Sequence, residues 1–216
     1  MEVHPDWKLF LWRDADIDRF GLKNQQEYDK SKDYAGKADI ARYEILYRYG
    51  GMYIDADTIW LSKLDVSQFT GSLNMTKEKV KSAEKKDSTL VCNGFIVTVP
   101  GHPFLKIAID TLPQRFSEKN GQGAWIATGP RHLTRLHKLI SPVVDKDIHF
   151  VVMNDFLGLD WWGDMTEAKT LEHADRCKRE GVFSLHWGFS TNKLSIPGEG
   201  VSEEEAAKFS PFLVKQ

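Results

Sequence analysis

The sequence predicts an α/β domain, on three observations. A helical pattern over KADIARYEILYRY (Lys37–Tyr49) stops at Gly50-Gly51, and an apolar strand pattern running into carboxylates, MYIDADTIWL, follows at once. Further strand-like runs, TLVCNGFIVTVP, IHFVVM and VFSLHW, alternate with helical ones along the chain. At 216 residues the chain is long enough for one domain with a core that needs no disulfide or metal to hold it.

In chain order, WKLFLW (Trp7–Trp12) reads as a strand, and DADIDRF and NQQEYDKS as short helical turns. The Lys37–Tyr49 helix has apolar residues at Ala38, Ala41, Ile45 and Tyr49, and the Gly50-Gly51 pair after it suits a C-terminal cap that needs positive φ. MYIDADTIWL reads as one buried strand. TKEKVKSAEKKD, charge-dense, reads as a solvated loop or surface helix. TLVCNGFIVTVP is one strand, or two joined by a tight turn at Asn93-Gly94. Phe104, Ala108 and Leu112 mark a helix that Pro113 ends or bends, and Gly129-Pro130 opens the helix RHLTRLHKLI. SEEEAAKF near the C-terminus reads as a capped surface helix. No repeat or linker divides the chain, so residues 1–216 are expected to form a single domain.

Composition excludes several classes of function. Lys+Arg number 29 against 31 Asp+Glu, so there is no basic excess for coating nucleic acid. No run of about 18 apolar residues predicts a transmembrane segment. MEVHPDWKLFLW lacks the basic and long apolar regions of a secretory signal. Two cysteines, Cys92 and Cys177, make no disulfide framework and suit a reducing compartment. The expected location is cytoplasmic, or the soluble part of a longer protein.

The chemistry concentrates between Lys37 and Leu61. Asp39 and Arg42, three apart, share a helix face. Tyr53, Asp55 and Asp57 alternate along the strand pattern and can point one way. Two carboxylates on one face repel and resist desolvation unless the strand ends in water or a hard cation such as Mg²⁺ or Mn²⁺ neutralises them. An ion with so few protein ligands would bind substrate phosphates as well. Asp-x-Asp can equally open a solvated loop. It also follows an apolar strand in haloacid-dehalogenase-like phosphatases, but their pattern has Thr or Val where Ile59 stands here.

Taken together, Asp39, Arg42, Leu46, Tyr47, Gly50-Gly51, Tyr53, Asp55 and Asp57 resemble the DXD-containing sugar-transferase family, glycosyltransferase family thirty-two. That group includes initiating mannosyltransferases and is similar to the cores of clostridial glucosylating toxins. HPDWKLFLWRDADI, NGFIVTVPGHPF, ATGPRHLTR and HWGFS resemble further family segments. The family's usual opening strand, of the kind Ile-Pro-Lys-Ile-Ile-His-Gln-Trp, has no counterpart before HPDWKLFLW.

The resemblance implies a GT-A fold, a Rossmann-like mixed sheet flanked by helices. It further implies metal-dependent transfer of a hexose, with retention, from a UDP- or GDP-linked sugar to a glycan or other hydroxyl acceptor. Asp39, Arg42, Asp55 and Asp57 would be the catalytic set. Asp39, Arg42, Tyr53, Asp55, His186 and Ser190 would bind the donor, and Asp55, Asp57 and His186 would hold Mn²⁺ or Mg²⁺. Asn93, Thr128, Asp155 and Trp161 are acceptor-side candidates. The alternatives are a non-catalytic glycan- or nucleotide-binding module and, behind it, a metal-dependent phosphohydrolase.

Overall fold

A computed structural model describes residues 5–56, 58–60, 62–80, 88–119, 122–144, 146–152, 175, 176, 179 and 184–186. These fall into two compact units. One comprises residues 6–54 and 65–152, and the other includes residues 55–64 and the segment 184–186.

The first unit opens with helices α1 (Asp14–Phe20), α2 (Gln25–Lys30) and α3 (Tyr34–Tyr49), followed by strand β1 (Gly51–Ile54). Strands β3 (Leu73–Val80) and β4 (Ser88–Thr98), helices α4 (Pro103–Lys119), α5 (Ala124–Ala127) and α6 (Pro130–Val144), and strand β5 (Ile148–Val152) complete it. The sheet order is β1-β4-β3-β5. β4 runs antiparallel to both neighbours, whereas β3 and β5 are parallel, so the sheet is mixed. With helices packed against it, this is the α/β class expected. The core joins Ile40 and Tyr43 of α3, Leu73 and Met75 of β3, Ile96 of β4, Phe104, Leu105 and Leu112 of α4, and Leu133 of α6, all fully buried. The second unit contains β2 (Thr58–Trp60) paired antiparallel with β6 (Ser184–His186).

Several elements form as the sequence predicts. Helix α3 forms but begins at Tyr34, three residues before the expected Lys37, where Asp33 caps it by accepting from the Gly36 amide at 2.6 Å. Gly50 ends it at φ 66°, its N–H reaching Leu46 O at 2.8 Å. A Cβ there would lie 2.7 Å from the Pro100 ring, so both backbone and space demand glycine. Phe104, Ala108 and Leu112 of α4 are fully buried, and Pro130 opens α6.

Other expectations are corrected. Trp7–Trp12 pairs with no strand among the described residues. Leu9, Phe10 and Leu11 are exposed, because alternation selects a face but supplies no hydrogen-bonding partner. MYIDADTIWL is not one buried strand: β1 stops at Ile54, a turn follows, and β2 belongs to another sheet. Tyr53 and Asp55 therefore do not share a strand face.

The charge-dense run begins inside a strand rather than a loop or helix. β3 is central to the sheet, with Leu73, Asn74, Met75 and Thr76 buried, and the Lys77 ammonium sits 3.7 Å from the Phe150 ring centroid. Residues 81–87 and the SEEEAAKF segment lie outside the described residues. On α3 the buried apolar residues are Ile40, Ala41, Tyr43 and Leu46, so Ala41 is buried as expected, whereas Tyr49 is exposed and Ala38 and Ile45 only half-buried. The helix meets α2, α4, α5, β1 and β4, so burial extends around it to polar positions. Asn93-Gly94 makes no turn between two strands. β4 is continuous, but its pairing with β3 jumps from Met75↔Ile96 to Thr76↔Cys92, leaving residues 93–95 as a bulge.

Pro113 neither ends α4 nor leaves it with an unpaired carbonyl. Its missing N–H frees Ile109 O, and the buried Asn24 side chain donates to that oxygen at 3.1 Å. Asn24 is held in turn by Glu44, whose carboxylate accepts from the Lys23 and Asn24 amides at 2.6 and 2.9 Å. Burial raises the Glu44 pKa, and these amides oppose that shift.

Asn24→Ala is expected to cost about 1–3 kcal/mol in urea denaturation by leaving Ile109 O unsatisfied. The loss should shrink when Pro113→Ala restores the helix's own donor. A pH effect is expected at His132. Its ring is fully buried, Nε2 meets Ala108 O at 3.1 Å, and Nδ1 has no partner among the described residues. Burial, the largest cause, lowers its pKa to about 4. The unfolded chain then binds the extra proton between the ordinary value near 6.5 and 4, so stability falls as pH falls through that window. The contribution lost by pH 5 is about 2 kcal/mol. Comparing wild type with His132→Gln at pH 7 and pH 5 isolates it.

Candidate active site

Helix α3 carries Asp39, and Arg42 and Tyr43, three and four residues on, bring three polar side chains to one face. Asp39 Oδ1 and Arg42 Nη2 are 3.1 Å apart, with both side chains about 95% buried. Desolvating two charges costs several kcal/mol per ion, offset only when further hydrogen bonds complete both groups. Here they do. Arg42 Nε donates to Ala38 O at 3.2 Å, Nη1 donates to Asn93 O at 2.6 Å, and the guanidinium lies 4.1 Å from the Tyr53 ring centroid. Asn93 Nδ2 donates to Asp39 Oδ1 at 2.7 Å, and Thr128 Oγ donates to Asp39 Oδ2 at 2.7 Å.

The β4 bulge explains how a strand residue reaches a helix side chain. It pushes Asn93 out of the ladder with β3, so its backbone carbonyl meets Arg42 while its amide meets Asp39. Tyr43 closes the cluster. Its hydroxyl donates to Thr128 O at 2.8 Å and accepts from Asn93 Nδ2 at 3.0 Å. Burial first, and the Asp39 charge second, push its pKa well above 10, so the hydroxyl stays protonated and remains a donor. Tyr43 was not singled out from the sequence. The available signal was its spacing from Asp39, which puts both on one helical face.

In the second unit, Asp55 begins the turn after β1, and its carbonyl accepts from the Thr58 amide at 3.1 Å. The β2–β6 register sets Thr58 opposite His186. His186, 128 positions away in sequence, is thus brought at the level of backbone beside the residue that follows Asp57. Among the described residues no group of three or more His, Cys, Asp or Glu side chains is placed to hold a metal ion. Asp57, Asp155, Trp161 and Ser190 lie outside the described residues, as does the side chain of His186. Asn93 and Thr128, expected on the acceptor side, are buried with hydrogen bonds directed to Asp39.

Comparison with known proteins bears on this arrangement. Residues 1–79 match the family described as glycosyltransferase sugar-binding region containing DXD motif. This segment is similar to a DXD glycosyltransferase sugar-binding region. It spans α1 to α3, β1 and the sequence Asp55-Ala56-Asp57, and so contains both the buried ion pair and the acids.

The chain is 30% identical to inositol phosphoceramide mannosyltransferase 2 of Schizosaccharomyces pombe over 147 residues, 63% of this chain and 39% of that protein. It is 35% identical to a mannosyl phosphorylinositol ceramide synthase of Saccharomyces cerevisiae over 120 residues, 52% of this chain and 28% of that one. The chain therefore spans about a third of the length of these relatives. Among solved structures it is similar to the PaToxG glycosyltransferase, with 16% identity and a TM-score of 0.46 over 91% of this chain and 59% of that one. No helix among the described residues is long and apolar enough to cross a membrane.

Arg42→Ala is expected to destabilise the first unit by about 3–5 kcal/mol, because it strands the Asp39 carboxylate in the core. Arg42→Lys should recover only part of this, since an ammonium is a point charge without the planar fork and stacking face of a guanidinium. Chemical denaturation of the two variants checks both.

Proposed function

We propose that the protein is a metal-dependent, retaining glycosyltransferase that moves a hexose from a nucleoside-diphosphate sugar to a hydroxyl acceptor. One observation carries the reading. Within the segment matching the DXD family, a buried Asp39–Arg42 pair is held rigidly on α3, and the same chain segment continues through β1 into Asp55-Ala56-Asp57. The relatives are named for mannosyl transfer to inositol phosphoceramide, so of the donors left open by the sequence GDP-mannose is the one to test first, with an inositol-bearing sphingolipid as acceptor.

In this reading Asp57, Asp55 and His186 hold Mn²⁺ or Mg²⁺, which when bound offsets the charge of the diphosphate. Breaking the sugar–phosphate bond leaves a diphosphate of growing negative charge and a cation-like sugar centre. Arg42 supplies positive charge toward the first, and the carboxylate of Asp39 orients sugar hydroxyls and steadies the second. Tyr53, already fixed under the Arg42 guanidinium, lies beside the nucleotide, and Ser190 beside the β-phosphate. Asn93 and Thr128 act as holders of Asp39. Asp155 and Trp161 remain the acceptor-side candidates.

Asp57→Asn, nearly isosteric and uncharged, should abolish metal-dependent donor turnover while the circular dichroism spectrum and melting transition stay native. Saturating chelator should do the same to wild type. Full turnover under either condition would contradict the mechanism.

A further inference from the structure

A carboxylate on a helix can rotate about two side-chain bonds, so Asp39 is not oriented by α3 alone. Its two oxygens are held from different elements. Oδ1 takes donors from Arg42 on α3 and Asn93 on β4, and Oδ2 takes the Thr128 hydroxyl from the connection between α5 and α6. Donors on both oxygens fix the plane of the carboxylate as well as its position. The Thr128 hydroxyl carries one proton and also lies 3.2 Å from Ala124 O, but the shorter approach and the negative charge favour Asp39.

Thr128 is itself fixed. It is 1% exposed, its carbonyl accepts the Tyr43 hydroxyl, and its amide donates to Ala124 O at 2.9 Å. The next residue leaves room for this contact. A Cβ on Gly129 would stand 2.9 Å from Asp39 Oδ2 and 3.2 Å from Ala124 O. No positive φ explains this glycine, whose backbone any residue could adopt. The nearest atom a side chain would meet there is the Asp39 carboxylate, with Ala124 O next.

We propose that Thr128 is a positioning residue for the donor sugar, acting through Asp39, with Gly129 clearing the space the carboxylate occupies. The proposal rests on the reading of Asp39 as a group that contacts the sugar of the donor. Thr128 touches no substrate. It holds the carboxylate in the one plane from which sugar hydroxyls are met, at no reorganisation cost when donor binds. Binding of the nucleoside diphosphate alone, which does not use Asp39, is unaffected.

The test is calorimetric binding of GDP-mannose and of GDP to the full chain with Mn²⁺, for wild type, Asp39→Asn, Thr128→Val, Thr128→Ser and Gly129→Ala, with melting curves for each. Thr128→Val and Gly129→Ala are expected to weaken GDP-mannose on the order of tenfold or more while GDP binding stays within about twofold. Thr128→Ser, which keeps the hydroxyl, should stay near wild type. Asp39→Asn should show the same split between the two ligands.

If Asp39→Asn shows the split and Thr128→Val, folded, does not, the positioning role is wrong while the donor reading stands. Equal weakening of both ligands also overturns it, since that is what general loosening of the site produces. If Thr128→Val loses its native melting transition, Gly129→Ala decides by the same criterion. Wild-type binding of both ligands in Asp39→Asn, or binding of neither by wild type, removes the donor reading and the proposal with it.

Discussion

The ion pair between Asp39 and Arg42 is the constraint to which the rest of the first unit is fitted. Two opposite charges about 95% out of water are tolerable only if almost every remaining donor and acceptor finds a partner. Meeting that demand recruits the bulge of β4, the connection before α6, the ring of Tyr53 and the hydroxyl of Tyr43. A bulge costs ladder hydrogen bonds, and a glycine costs backbone entropy. Both are explained here by what they allow near one carboxylate. The polar cluster therefore ties α3, β4 and the start of α6 together more specifically than apolar contact alone could.

The same accounting holds elsewhere. Asn24 meets the carbonyl that Pro113 releases, and Glu44 meets the amides of Lys23 and Asn24. In each case a local break in regular structure is matched by a buried side chain far away in sequence. Core packing by Ile40, Phe104, Leu105, Leu112 and Leu133 provides the bulk of the burial, and the polar contacts select which arrangement of helices it accompanies.

Much of the helical framework was legible in the sequence, because a helix is specified locally. Gly50 after Tyr49, Pro130 after Gly129, and the spacing of Phe104, Ala108 and Leu112 each state their position within a few residues. Strands were harder to read, since half of what makes a strand lies on its partner. Trp7–Trp12 has the alternation and no partner strand among the described residues, whereas β3 has Lys77 in its run and a partner on each side. Asp39, Arg42 and the Asp-x-Asp pair stood out by residue type and spacing. Their surroundings did not. The pairing of Thr58 with His186 and the approach of Thr128 to Asp39, 89 residues away, are long-range facts that no local pattern encodes.

The central proposal is that one sugar-nucleotide donor uses both Asp39 with Arg42 and the acids of Asp55-Ala56-Asp57. Its most direct test is a crystal structure of the chain grown with Mn²⁺ and an unhydrolysed sugar nucleotide, read with anomalous scattering at the manganese edge. The account predicts an anomalous peak at the carboxylate of Asp57 touching the diphosphate, with sugar hydroxyls in hydrogen-bond reach of Asp39 and Arg42. A donor seated elsewhere on the protein, or a manganese peak away from Asp57, would contradict it.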